Sequence, residues 1–232
     1  EVILPTQTFI ATASSVAKLG AKPVFAEIDK DFLLDADKIE QYVTGKTKAV
    51  ILVHFSGLIH NKIFEIRERL NSLGILLIED AAHSPGASIK GVKAGALGDV
   101  ATFSFYSTKN MTTGEGGMIT TNNQNLADRC ASIRARGLDI HASDEIFSEL
   151  GTNQRMTEVQ ALMGQVQIKR LDDFVKHRNS IAETYNRVLQ PAIGTGQIEV
   201  PVVPNNVCHA YWRYVVFLKN DQDREIIAKR AA

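Results

Sequence analysis

The chain has 232 residues, 26 Lys+Arg against 26 Asp+Glu, and is 44% hydrophobic and 22% charged. That length holds one large domain or two small ones, and either buries a sizeable core. Zero formal net charge argues against a broad nucleic-acid or membrane-surface binder.

No apolar run reaches the roughly 18 residues of a membrane span. No basic, apolar leader opens the sequence, so no signal peptide is expected. Two cysteines, Cys130 and Cys208, are too few for a disulfide scaffold and fit a reducing, cytoplasmic compartment.

Residues 1–4 are a short apolar run stopped by Pro5. Residues 9–19 mix small and apolar side chains up to Gly20, the pattern of a helix with a glycine stop. Pro23 to Ile28 reads as a short strand ending at Asp29. Asp35 precedes Ile39, Tyr42 and Val43 in a short amphipathic helix. Residues 49–53 (AVILV) are unbroken apolar chain, which suits a buried parallel strand. Residues 61–73 follow as an amphipathic helix, with Ile63, Ile66 and Leu70 on one face and Gly74 as its stop. Ile75 to Ile78 is a second buried strand, closing on Glu79 and Asp80. Residues 99–106 and 117–121 read as two further strands. Strands alternating with helices over the first 135 residues predict a mostly parallel sheet.

Residues 156–190 differ in kind. Thr157 and Gln160 have the spacing of a capping box. Val159, Leu162, Val166 and Leu171 continue as a helical stripe, predicting a long helix or a kinked pair that ends before Pro191. Tyr211 to Leu218 has the aromatic and β-branched content of a strand, and residues 221–230 open a helix. The expected organisation is a large α/β domain over 1–165. A connecting helix and part of a smaller α/β domain follow over 166–232. With no initiator Met and a helix that runs into the last residues, the chain is expected to be the middle of a longer protein.

The six histidines have no HExxH or CxxC partners, so no metal site is expected. GxGxxG and GxSxG are absent. Gly86 and Gly91 have the spacing of a phosphate loop, but Val92 stands where that loop needs Lys.

Three clusters remain, each tied to a strand or loop where open α/β sheets bind ligands. Asp80 follows the apolar strand, with His83 three residues on. One reading is a helix-capping carboxylate beside a surface histidine; the other is an acid aimed at a ligand nitrogen with a ring nearby. Ser104 to Lys109 (SFYSTK) closes the next strand, and Gly114, Gly116 and Gly117 follow. A lone lysine is usually a solvated residue. In a half-buried pocket it loses its proton and attacks a carbonyl. Ser104 and Ser107 supply hydroxyls for a phosphate. Asn153 and Arg155 are either a capping cluster or a polar clamp on an anion. An acid for a heterocyclic nitrogen, a carbonyl-bonding lysine and phosphate hydroxyls together are what pyridoxal 5′-phosphate requires.

At these residues the chain resembles the DegT/DnrJ/EryC1/StrS family of sugar aminotransferases. The resemblance rests on EVILPTQTFIAT (1–12), the stretch around His54–Gly57, EDAAHSPG (79–86), GDVATFSFYSTKNMTTGEGGM (98–118) and GTNQRMTEVQALM (151–163). It implies a pyridoxal-phosphate-dependent transferase of fold type I. The large domain is then three-layer α/β/α with a mostly parallel sheet, and a smaller C-terminal α/β domain is represented in part.

It implies that Lys109 bonds the cofactor aldehyde and shuttles a proton, and that Asp80 pairs with the pyridine nitrogen. His83 and Phe9 then cover the two ring faces, and Ser104 binds the phosphate. Asn153 reaches the cofactor phosphate of a neighbouring subunit, hence a homodimer with shared sites, and Arg155 braces that loop. The implied reaction moves an amino group, usually from glutamate, to a keto group of a nucleotide-linked sugar.

Some relatives are dehydratases with histidine at the lysine position, and Lys109 argues against that branch. A cofactor-binding relative with a regulatory role and an inactive fragment remain as alternatives. The family also carries chain before and after this stretch, including a glycine/threonine turn of the phosphate site. Gln154 and His60-Asn61 depart from the usual residues at positions expected to affect substrate fit.

Overall fold

The structure is a computed structural model that describes residues 1–220 and Lys229. The helix expected over 221–230 therefore lies, Lys229 apart, outside the described residues.

The chain opens with β1 (Val2–Pro5), α1 (Ile10–Lys18) and β2 (Pro23–Ala26). Next come β3 (Ala49–Val53), α2 (Ile63–Ser72) and β4 (Leu76–Asp80). Two short strands follow, β5 (Ser88–Ile89) and β6 (Val92–Lys93), then β7 (Val100–Ser104), β8 (Gly117–Thr120) and α3 (Gln124–Arg134). The last third holds α4 (Glu158–Ile168), α5 (Leu171–Gly194), β9 (Ile198–Glu199), β10 (Val207–Cys208) and β11 (Phe217–Leu218).

Six strands form one sheet in the order β2-β1-β3-β4-β7-β8. All pairs are parallel except β7 with β8. The mostly parallel α/β sheet expected from the sequence is present. Helices cover both faces because successive side chains on a strand point to opposite sides. Leu4, Ile51, Val53 and Ile78 face α1, packing with Ala13 and Val16. Ile3, Val50, Leu52 and Leu77 face the other way, in one core with Ile63, Ile66 and Leu70 of α2. These three α2 side chains are at most 2% exposed. Burying each contributes about 1.5–3 kcal/mol, which holds a helix too short to be stable alone.

That alternation decides where the chemistry goes. Asp80 shares a face with Ile78, toward α1. Glu79 shares the face of Leu77, toward α2.

Several expected bounds move. The strand expected over 23–28 stops at Ala26, and the short helix near Ile39 is one 3-10 turn, Ile39–Tyr42. The stretch 156–190 is a kinked pair, and the domain boundary expected at 165/166 falls inside α4. The capping box forms as expected: Gln160 N donates to Thr157 Oγ1 at 3.3 Å, and Thr157 N to Gln160 Oε1 at 2.9 Å.

Two expectations fail. α5 does not end before Pro191 but runs through it to Gly194. Pro191 sits in the last turn, where its missing N–H costs one bond; Thr195 N and Thr195 Oγ1 both donate to its carbonyl at 3.1 Å. The strand expected over 211–218 is only Phe217–Leu218, paired antiparallel with β9. Its first half leaves the ladder because Tyr211 adopts φ 44 and its N–H donates to His209 Nδ1 at 2.9 Å. The stretch just before it turns back to the large sheet's surroundings, where Val207 and Cys208 pair with Ile89 and Ser88.

Among the described residues no helix is long and apolar enough to cross a membrane. None of their His, Cys, Asp and Glu side chains form a group that could hold a metal ion.

Candidate active site

Parallel strands place their carboxyl ends on one sheet edge, and three of the expected residues, Asp80, His83 and Lys109, lie there. β4 ends on Asp80, in register with Val53 of β3 and Thr102 of β7. Asp80 Oδ2 accepts from Thr12 Oγ1 at 2.8 Å, and Oδ1 accepts from Ala82 N at 3.2 Å. Thr12 is on α1, and its hydroxyl oxygen lies 2.6 Å from that of Thr8. The carboxylate is thus fixed from the helix on its own face. Charge-assisted bonds of this kind contribute about 1.5–3 kcal/mol each.

The opposite face carries a buried pair. Glu79 is fully buried and accepts from His54 Nε2 at 2.8 Å. It also accepts from the N–H groups of Gly95 at 2.9 Å, Leu97 at 2.8 Å and Gly98 at 2.7 Å. Burial pushes the Glu79 carboxyl up, but the His54 bond and the Gly95 and Gly98 N–H groups hold it below the usual carboxylate range. The backbone N–H of His54 donates to the Asp80 carbonyl at 3.1 Å. The ends of β3 and β4 are therefore locked together beneath Asp80.

His83 lies half-buried in the turn after β4. Burial, then the charges of Lys109 and Arg213, lower its pKa to about 3, so the ring is neutral at ordinary pH. Its Nδ1 is buried without a hydrogen-bond partner. Gly57 permits the turn beside it: φ is +101 there, and a Cβ would lie 2.9 Å from the His83 carbonyl.

Lys109 sits five residues beyond β7, with its N–H on the Tyr106 carbonyl at 3.0 Å. Its amine is 4.3 Å from the Trp212 ring centroid. Burial lowers its pKa, Asp80 opposes that, and Arg213 adds to it. Lys109 thus holds its proton less tightly than a solvated lysine does. Ser104 ends β7 opposite Gly117, and its Oγ accepts from Tyr106 N at 3.4 Å. Phe9 is the N-cap residue of α1 and is 71% exposed.

Asp80, His83 and Lys109 are brought together, as expected. Asn153 and Arg155 are not joined to them by any hydrogen bond or ion pair among the described residues. Both are exposed, and Arg155 Nε donates to Asn153 Oδ1 at 3.2 Å. Sequence reasoning missed Thr12, His54, Glu79 and Trp212 as parts of the site. Glu79 offered a signal, since a carboxylate at a core-facing strand position is almost never buried unless paired. Trp212 offered none, because its approach depends on the turn at Tyr211.

The atoms present fit pyridoxal phosphate. A neutral ring with an orphan buried nitrogen, an anchored carboxylate and a half-buried amine match its ring, its pyridine nitrogen and its aldehyde.

The model of the DegT/DnrJ/EryC1/StrS aminotransferase family matches residues 1–231. A GDP-perosamine synthase of Caulobacter vibrioides is 42% identical over 94% of this chain and 58% of its own length. The solved structure of the aminotransferase TlmJ from Streptoalloteichus hindustanus superposes with a TM-score of 0.90 at 30% identity, over 99% of this chain and 62% of that one. The PLP form of the putative sugar aminotransferase Spr1654 from Streptococcus pneumoniae gives a TM-score of 0.87 at 25% identity, over 99% and 63%. The chain spans 62% and 58% of the length of two curated relatives it matches. On the family match and the shared fold, the chain belongs to the DegT/DnrJ/EryC1/StrS aminotransferase family.

Proposed function

We propose that the protein is a pyridoxal 5′-phosphate-dependent aminotransferase that acts on a keto group of a nucleotide-linked sugar, with glutamate as amino donor. The observation that carries this reading is the convergence of Lys109, Asp80 and His83 at one sheet edge, with the lysine's proton affinity lowered by burial. Similarity to a GDP-perosamine synthase makes a GDP-linked keto sugar the first acceptor to test.

Bound there, pyridoxal phosphate supplies an electron sink for the carbon that loses its proton. Lys109 Nζ would hold the cofactor through its aldehyde and would carry the proton between the substrate carbon and the cofactor. Asp80, held by Thr12, would set its carboxylate against the pyridine nitrogen and favour the protonated form of that nitrogen. His83 would offer a flat, uncharged face to the ring and Phe9 would cover the other. Ser104 Oγ would donate to the phosphate.

Asn153 completes the phosphate site of a second copy. The outer face of α4 supports that homodimer: Val159, Leu162 and Val166 are 68%, 62% and 60% exposed, a stripe that a second chain would cover. Two free cysteines and the nucleotide-linked substrate support a cytoplasmic location.

The test is direct. Purified full-length protein with pyridoxal phosphate, glutamate and a GDP-linked keto sugar should release 2-oxoglutarate and an amino sugar. A visible absorbance band should appear with the cofactor and vanish in Lys109→Ala. Cofactor binding without 2-oxoglutarate release across the common nucleotide sugars would refute the transfer reaction.

A further inference from the structure

The segment 209–212 is held from several sides. Trp212 N donates to the Ser56 carbonyl at 2.8 Å, and Ala210 N to the Gly57 carbonyl at 3.0 Å. Asn110, next to Lys109, donates through Nδ2 to the Ala210 carbonyl at 2.7 Å. Asn179 and Arg178 of α5 donate to the carbonyls of His209 and Tyr211, each at 2.9 Å. These bonds hold Tyr211 at φ 44, a left-handed conformation that an aromatic residue adopts only when its surroundings impose it.

The consequence of that imposed turn is the placement of one indole. Trp212 stacks on His83 with ring centroids 3.8 Å apart and planes 15° from parallel. Its Nε1 donates to the Thr108 carbonyl at 2.8 Å, on the residue before Lys109. The Lys109 amine lies 4.3 Å from the indole centroid, and the Arg213 guanidinium lies 4.2 Å from it.

We propose that Trp212 is the positioning residue of this site: its indole backs one face of His83, leaving the other for the cofactor ring, and screens the Lys109 amine from water. This rests on Lys109 being the residue that bonds the cofactor aldehyde. The groups that face the amine are Asp80 from β4, Arg213 from the imposed turn, and His83. Asp80 favours the charged amine and Arg213 opposes it. Burial outweighs Asp80, and the indole is the aromatic surface lying over the amine. Taking it away readmits water and favours the protonated amine. The lost cation–π attraction acts in the opposite sense; on this proposal the readmitted water is the larger of the two, and the direction of the shift decides between them.

The experiment uses the full-length protein freed of cofactor. Pyridoxal phosphate is added across a pH series, and the Lys109 amine condenses with its aldehyde as one water leaves. Borohydride then reduces the new bond, and the labelled peptide is quantified by mass. In Trp212→Ala the labelling profile of Lys109 should move to higher pH by about one unit, a loss of about tenfold at neutral pH. Trp212→Phe keeps a ring over the amine and should restore most of the profile. If Trp212→Ala does not fold, Trp212→Gln fills the volume without an aromatic face and should show the same upward shift.

Profiles that superpose, or that move to lower pH, overturn the proposal. Label spread over other lysines in the unaltered protein would instead overturn the reading of Lys109 itself.

Discussion

The two halves of the site are built differently. Asp80, His83 and Lys109 sit on a wall whose strands are paired on both sides, backed by buried Glu79 and His54. Asn153 and Arg155 sit on an exposed loop before α4, a helix with no buried residue of its own. The members of the first half lie against one another within this chain. The second has a hydrogen bond between its members and an apolar helix face open to solvent. Rigid placement thus falls on Asp80, His83 and Lys109, while the outer loop lies beside an exposed helix face.

The sharpest way to break the inner half is to remove its amine. Lys109→Ala should abolish covalent cofactor loading and lower amino transfer by about a thousandfold or more, measured as 2-oxoglutarate release. Next in size is its foundation. Glu79→Ala strips His54 of its partner and orphans three backbone N–H groups, of which that of Leu97 is buried and those of Gly95 and Gly98 are partly buried. It should destabilise the fold by about 3–5 kcal/mol, read from the urea midpoint. Comparable losses from Arg155→Ala, at the outer loop, would erase the contrast.

The outer half is sharpened by mixing. If Asn153 serves a second copy, Lys109→Ala and Asn153→Ala proteins each lack one part of every site. Refolded together, they should regain about a quarter of the unaltered activity, since half the dimers are hybrid and each hybrid has one whole site. No recovery would mean that Asn153 acts within its own chain. Leu162→Glu on the exposed face of α4 should shift sedimentation from dimer to monomer.

Legibility in the sequence followed the same division. Unbroken apolar runs such as 49–53 and the 3.6-residue spacing of Ile63, Ile66 and Leu70 are local signals, so the sheet and α2 were readable. Asp80 and Lys109 were readable because a strand's carboxyl end is defined by the residue that follows it. Thr12 on Asp80 spans 68 residues of sequence, and no periodicity announces such a bond. Trp212 was read as part of a strand, because β propensity carries no record of the backbone bonds that force the φ of Tyr211. The stripe on α4 was read correctly as apolar and helical, yet periodicity does not tell whether its own chain covers it.

Acid gives the most graded test of the contrast. His83 and His209 both have pKa values lowered to about 3, chiefly by burial. In the unfolded chain each titrates near its ordinary value of about 6.5. Above that value neither state binds the proton, and the shift has no effect on stability. Below it the unfolded state takes up protons that the folded state refuses, so stability falls as pH drops from about 6.5 toward about 3. Each histidine contributes a slope of up to about 1.4 kcal/mol per pH unit in that window. His60, lowered mainly by burial, and Glu79, held below the carboxylate range, act in the same direction. His209 is the cleanest probe, because its Nδ1 must stay unprotonated to accept the Tyr211 N–H. His209→Asn keeps an acceptor near that position and cannot take the proton. Urea midpoints between about pH 7 and about pH 4 should therefore fall less steeply in this variant than in the unaltered protein. Equal slopes would mean that the imposed turn at Tyr211, and the inner wall it completes, does not depend on a neutral His209.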